Sequence, residues 1–192
     1  MSLQNTISYA DFPSVTQYRF DSGDSGGNIH SLIDIVLSLI RRFGDTFSLF
    51  EGTTGGMLSH FFSQHREIIS LGSGGIIAHS PSIYVDILGI PETLLNNFGV
   101  ASKEIASISA QRISDLTGSR YAISNVGNAG PSTAAGLGKV GIIWLGFRTP
   151  HRTVVQCVDF SHCAGQRDLL CEKVCYASAK IFAQILFADG QN

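Results

Sequence analysis

The chain has 192 residues, 44% of them hydrophobic and 15% charged, a balance that suits one folded domain with a sizeable core and excludes a disordered chain. A net charge of −2 and an isoelectric point near 6.3 give no general attraction for nucleic acid or an anionic membrane, so any phosphate binding must come from a local site. No apolar run approaches the ~18 residues of a membrane span, and Met1 to Asp11 lacks a basic start followed by an apolar block, so no membrane partner and a cytoplasmic location are expected.

Residues 1–28 are polar and end in Asp21-Ser22-Gly23-Asp24-Ser25-Gly26-Gly27-Asn28, which reads as a flexible or loosely docked arm. Tyr9, Phe12, Tyr18 and Phe20 are its possible anchors to the body. Residues 29–192 read as a single domain. Leu32, Ile33, Ile35, Val36, Leu39 and Ile40 recur at helical spacing over 29–43; Arg41 and Arg42 complement the dipole of the last turn, and Gly44 suits a C-terminal cap. A strand is expected over 46–50. It opens into Glu51-Gly52-Thr53-Thr54-Gly55-Gly56 and then a helix through Ser63. Small residues between a strand and a helix leave backbone N–H groups accessible, an arrangement that holds phosphate. The loop has no obvious nucleophile or base.

The apolar run Ile68-Ile69-Ser70-Leu71, leading through Gly72-Ser73-Gly74-Gly75 to Ile76-Ile77-Ala78-His79, reads as a strand buried on both faces. Ser80-Pro81 opens a short helix through Leu88, Pro91-Glu92 starts another turn, and Ser102 caps a helix through Leu116 that ends at Gly118. Tyr121 to Val126 is the next strand. It runs into Gly127-Asn128-Ala129-Gly130-Pro131 and a small-residue loop, 132–138, expected to move. Residues 140–147 and 153–160 pair as a hairpin turned at Thr149-Pro150-His151, and a helix from about Gln166 to Phe187 closes the domain. Five strands alternating with helices imply an α/β fold, a three-layer α/β/α sandwich with a mixed sheet.

Cys157, Cys163, Cys171 and Cys175 are all in the last third; they read as small core residues in a reducing compartment, and no metal site is expected from them. In a sheet of this kind a ligand sits outside the carboxyl ends of the strands. Loops 51–56, 79–84 and 126–132 converge there, with Arg167 at a helix start suited to an anion. Glu51 either orients loop amides or a ligand hydroxyl, or is an acid satisfied by nearby backbone.

In order along the chain, these loops resemble the motifs of the CinA C-terminal domain, the competence-damage family whose characterised activity is nicotinamide-nucleotide amidase. The family's Glu-Ser-Cys-Thr-Gly-Gly is similar to Glu51 to Gly56. Its Gly-Gly-x-x-Ala-Tyr-Ser-Asn-x-x-Lys resembles Gly74 to Tyr84, and its Leu-Leu-Gly-Val resembles Ile87 to Ile90. Gly99 to Glu104 matches the helix opener Gly-x-Val-Ser-x-Glu, slightly altered. Val126 to Pro131 resembles Thr-Gly-Ile-Ala-Gly-Pro, and Gly165-Gln166-Arg167 resembles Gly-Asp-Arg.

The resemblance implies a Ser nucleophile activated by Lys and Tyr, with backbone amides holding the oxyanion. This chain has Gly52 at the Ser position, His79 at the Tyr position and Tyr84 at the Lys position; Val126 and Gln166 replace a Thr and an Asp. Losing a nucleophile typically costs several orders of magnitude in rate, so inherited deamidation is expected to be absent or severely impaired. Glu51, Thr54, Gly55, Gly56, Gly127, Asn128, Ala129, Gly130 and Arg167 remain as ligand-binding candidates, for a nucleotide-like or other small anionic ligand with no cofactor. The alternatives are an amidohydrolase using Thr53 or Thr54 with His79 as base, and an interaction protein with a vestigial pocket; Tyr84 is a further candidate, either donating to a ligand or filling the volume of the Lys. By analogy with the family, a homo-oligomer is expected.

Overall fold

The computed structural model describes residues 15–18, 28–131 and 138–190; for 15–18 it describes the backbone alone. Six strands form one sheet in the order β1-β6-β5-β4-β2-β3. They are β1 (Val15–Tyr18), β2 (Phe47–Glu51), β3 (Gly72–Ile77), β4 (Tyr121–Gly127), β5 (Ile142–Arg148) and β6 (Thr153–Asp159). Strands β4, β2 and β3 run parallel, β5 and β6 form the expected antiparallel hairpin, and β1 lies parallel to β6.

Helices cover both faces. On one side α1 (Ile29–Phe43), α2 (Met57–Ser63) and α7 (Arg167–Asp189) bury Ile33, Val36, Leu37, Ile40, Leu58, Phe62, Leu170 and Val174 against Leu49, Ile123 and Leu145. On the other, α4 (Pro81–Asp86), α5 (Glu92–Phe98) and α6 (Lys103–Thr117) pack Tyr84, Leu95, Ile105 and Ile108 against Phe50, Ala122 and Val126. Alternate side chains of β2 and β4 thus enter opposite cores, which is why both strands are apolar along most of their length. The expected three-layer sandwich with a mixed sheet is the fold.

Local signals set the ends of α1 and α6. Asn28 Oδ1 accepts from the His30 amide at 2.9 Å, Gly44 adopts a left-handed conformation at φ 67°, and Ser102 Oγ accepts from the Ile105 amide at 3.3 Å.

Two expectations change. Ile68–Leu71 is a helical turn, α3, and the strand begins only at Gly72. A four-residue apolar run fits helix or strand equally well, and here Leu71 alone of the four is buried while Ile69 is 88% exposed. Strand β3 is an edge strand with Ser73, Gly74, Gly75 and Ile77 exposed, so it is not buried on both faces. Within the arm, Val15–Tyr18 forms a sixth strand, pairing Val15 with Val155 and Tyr18 with Val158. Tyr9, Phe12 and Phe20, and the loop residues 132–137, lie outside the described residues.

Candidate functional site

The three loops expected to converge do so, around the end of β2. The Gly52 amide donates to Asn125 O at 2.8 Å, continuing the β2–β4 ladder by one step, and the Ala78 amide donates to Glu51 O at 2.8 Å, doing the same toward β3. The first loop is therefore clamped between its two neighbours before any side chain acts.

Glu51 is 1% exposed and sits beneath the start of α2. Its Oε2 accepts from Thr54 Oγ1 at 2.5 Å, the Gly56 amide at 3.0 Å and the Leu58 amide at 3.1 Å. Its Oε1 accepts from the Ser59 amide at 2.8 Å and from Ser59 Oγ. A carboxylate here satisfies the unpaired amides of the first helical turn and complements its dipole. Gly56 enters that turn at φ 97°, a left-handed conformation that favours glycine. Glu51 thus orients the loop amides and is satisfied by them at once, with both oxygens taken up by the loop and the start of α2.

Asn125, fully buried on β4, completes the job. Its Oδ1 accepts from the Thr53 amide at 3.0 Å and the Thr54 amide at 3.2 Å. The sequence reading passed over this residue as part of a strand. The available signal was a polar side chain two positions before Gly127 at the carboxyl end of an otherwise apolar run. Together Glu51 and Asn125 change the expectation of an open phosphate cradle. The amides of residues 52–54 and 56–59 are all engaged internally, and among the described residues only the Gly55 amide in this loop makes no hydrogen bond.

The threonines point inward. Thr53 Oγ1 donates to Gly127 O at 3.3 Å and Thr54 Oγ1 to Glu51, and both residues are buried. His79 is exposed, and its ring lies over Gly55, with Cε1 3.8 Å from where a Cβ on that glycine would stand. Among the described residues, neither hydroxyl is hydrogen-bonded to His79.

Gly52 and Tyr84 are the decisive pair. A Cβ built on Gly52 would overlap the Tyr84 hydroxyl and stand 3.1 Å from Asn125 O and 3.3 Å from Val126 Cγ1. The phenol, 4% exposed and edge-on to Phe50 at 5.0 Å between centroids, occupies the space where a Gly52 side chain would begin. Burial pushes its pKa well above the ordinary phenol value, so at neutral pH it is a neutral hydrogen-bond donor, neither base nor nucleophile.

The second loop is also internally braced. The Gly130 amide donates to Asn128 Oδ1 at 2.8 Å, Asn128 Nδ2 donates to Gly138 O at 3.1 Å, and Ala129 is buried. Arg167, the first residue of α7, donates from Nη1 to Gly130 O at 2.8 Å and is exposed, and its other N–H groups have no hydrogen-bond partner among the described residues. Gln166 precedes it at the helix cap. A cavity of about 180 Å³ lies between α2, α3 and β3, lined by Phe47, Leu49, Phe62, Ile68 and glycines; none of Gly52, His79, Tyr84 or Arg167 borders it.

All four cysteines are free and buried. Cys171 Sγ lies 3.8 Å from Thr53 O under the first loop. Burial, above all, raises the pKa of Cys157, Cys171 and Cys175. A thiol reagent at neutral pH is therefore expected to label the native protein slowly and all four cysteines quickly once it is unfolded; rapid labelling of two or more in the native state would contradict this placement.

A mixed three-layer sandwich with internally clamped loops at the carboxyl ends of β2 and β4 defines the class of protein. The CinA C-terminal domain family matches residues 29–186. The chain belongs to that family. A CinA-like protein of Synechococcus sp. is 34% identical over 115 residues, 60% of this chain and 27% of that protein. A putative competence-damage inducible protein of Bacillus pumilus is 33% identical over 141 residues, 73% of this chain and 32% of that protein. The chain thus spans about a third or less of the length of these relatives. Among solved structures, a CinA superfamily protein from Klebsiella pneumoniae superposes with a TM-score of 0.78 at 18% identity, covering 84% of this chain and 99% of that one. A competence or damage-inducible protein from Enterobacter asburiae gives 0.78 at 21% identity, with the same coverage. Among the described residues no helix is long and apolar enough to cross a membrane.

Proposed function

We propose that this chain is a CinA-type domain that binds a nicotinamide-nucleotide-like or other small anionic ligand at its loop face without hydrolysing it. The observation that carries the reading is the Tyr84 hydroxyl standing over Gly52. Where Ser–Lys chemistry needs an attacking hydroxyl and an amine, a neutral phenol fills the space of the first and comes from the position of the second. The groups left facing outward suit recognition: the Gly55 N–H, the His79 ring above it, and the remaining donors of Arg167. The reading with Thr53 or Thr54 as nucleophile has less support, because both hydroxyls already donate to buried acceptors.

Nicotinamide mononucleotide at saturation is expected to raise the unfolding temperature of the wild-type protein, and Arg167→Gln to reduce that rise. Ammonia release should stay at the uncatalysed level. No stabilisation by this or by related nucleotides would defeat the binding reading, and ammonia release at enzymatic rates would defeat the loss of hydrolysis. Assembly as a homo-oligomer belongs to the same proposal, and light scattering on the full chain tests it.

A further inference from the structure

Away from the loops, three side chains of α1 and the α2–α3 turn form a connected chain. His65 places Nδ1 2.7 Å from Asp34 Oδ1 and Nε2 3.2 Å from His30 Nδ1. An ionised carboxylate only accepts, so His65 Nδ1 carries a proton, and in the neutral ring Nε2 presents a lone pair. Asp34 thereby fixes the tautomer and orientation of the His65 ring, the part a carboxylate plays behind a metal-bound histidine. The His30 ring is set edge-on against Phe61 at 5.9 Å, and the His30 amide is held by the Asn28 cap. The His65 side chain is 12% exposed and that of Asp34 is 70% exposed, so the pair is sheltered on one side and open to solvent on the other.

We propose that His30 and His65 form a two-imidazole site for a borderline divalent cation, Zn(II), Ni(II) or Cu(II), with Asp34 as the outer partner of His65. Neighbouring nitrogens on a tetrahedral zinc with Zn–N bonds of about 2.05 Å stand about 3.3 Å apart. The two facing nitrogens here stand 3.2 Å apart. The two nitrogens face each other across that gap, and an ion held by both requires the rings, whose planes differ by 32°, to reorient and the His30 proton to move from Nδ1 to Nε2. Imidazole donors favour these metals over Mg(II) and Ca(II), which take oxygen ligands. No group of three or more His, Cys, Asp or Glu capable of holding a metal is present among the described residues, so water fills the other positions and the ion exchanges freely. None of its three residues belongs to the loop face.

The full chain is titrated with zinc chloride and with nickel chloride by calorimetry, and with copper(II) by electron paramagnetic resonance. One saturable equivalent is expected, lost in His30→Ala and in His65→Gln, about tenfold weaker in Asp34→Asn, and unchanged in His151→Ala. The copper spectrum should show coupling to two imidazole nitrogens. Acidification should release the ion, because the ligands bind only when neutral. Circular dichroism checks that each variant is folded; if one is not, the wild-type copper spectrum decides alone. Saturable binding that survives the loss of both histidines, a spectrum with a single nitrogen, or no saturable equivalent in the wild type would overturn the site. The contact would then be only a hydrogen bond joining α1 to the α2–α3 turn.

Discussion

Glu51→Ala is expected to lower the stability of the domain by about 3–5 kcal/mol. The carboxylate is 1% exposed and accepts from five donors, three of them amides at the start of α2. Removing it leaves those amides buried without an acceptor. Each unsatisfied buried group costs about 1–3 kcal/mol, and water entering the vacated space recovers part of that. A domain of this size is stable by about 5–15 kcal/mol, so the loss is a large fraction of the total. In thermal unfolding it should appear as a fall of about 10 °C. Glu51→Gln should fall between wild type and alanine: it keeps one acceptor but sets an amide group against existing donors. Asn125→Ala should loosen the same loop from the other side by freeing the Thr53 and Thr54 amides. A loss below about 1 kcal/mol in Glu51→Ala would show that the carboxylate does not hold the loop.

The same residues show what the sequence made legible. Strands β2 and β4 were readable because their apolar runs end in small residues, and α1 because a helical period closes on Arg41, Arg42 and Gly44. The edge strand was harder. Ile68-Ile69-Ser70-Leu71 has the composition of a strand, yet Leu71 alone of its four residues is buried, so tertiary position decided its state. Strand β1 had no local signal, since its hydrogen bonds go to Val155 through Val158, far along the chain. At the site, the loops and their convergence were legible, whereas the use of their amides was not. A sequence shows that Gly and Thr leave backbone open. It does not show that Glu51 and Asn125 turn back to occupy that backbone. The pairing of His30 with His65 is equally a product of folding, because residues 35 positions apart meet only when α2 packs on α1. The replacements at Gly52 and Tyr84 were each visible, but their steric coupling required coordinates.

That coupling sets the second large effect. Gly52→Ser alone is expected to cost about 2–3 kcal/mol, and the cost should fall in a Tyr84→Phe background to what the tight approaches to Asn125 O and Val126 Cγ1 leave, about 1 kcal/mol. The argument is local. Gly52 has no positive φ, so its backbone accepts a side chain; the obstacle is the Tyr84 hydroxyl, with Val126 Cγ1 and Asn125 O close behind. Tyr84→Phe removes only the overlapping oxygen, which makes the cycle specific. A coupling of about 1–3 kcal/mol would show that the phenol and a side chain at Gly52 compete for one space. Additive losses would show that they do not. Activity supplies the companion test. In Gly52→Ser with Tyr84→Lys, a buried amine with a lowered pKa faces a new hydroxyl on the preserved loop, the two groups a Ser–Lys amidase requires. Ammonia release from nicotinamide mononucleotide should appear in that double variant and in neither single one. If the double variant is folded and binds the nucleotide but stays silent, hydrolysis requires changes at His79, Val126 and Gln166 as well.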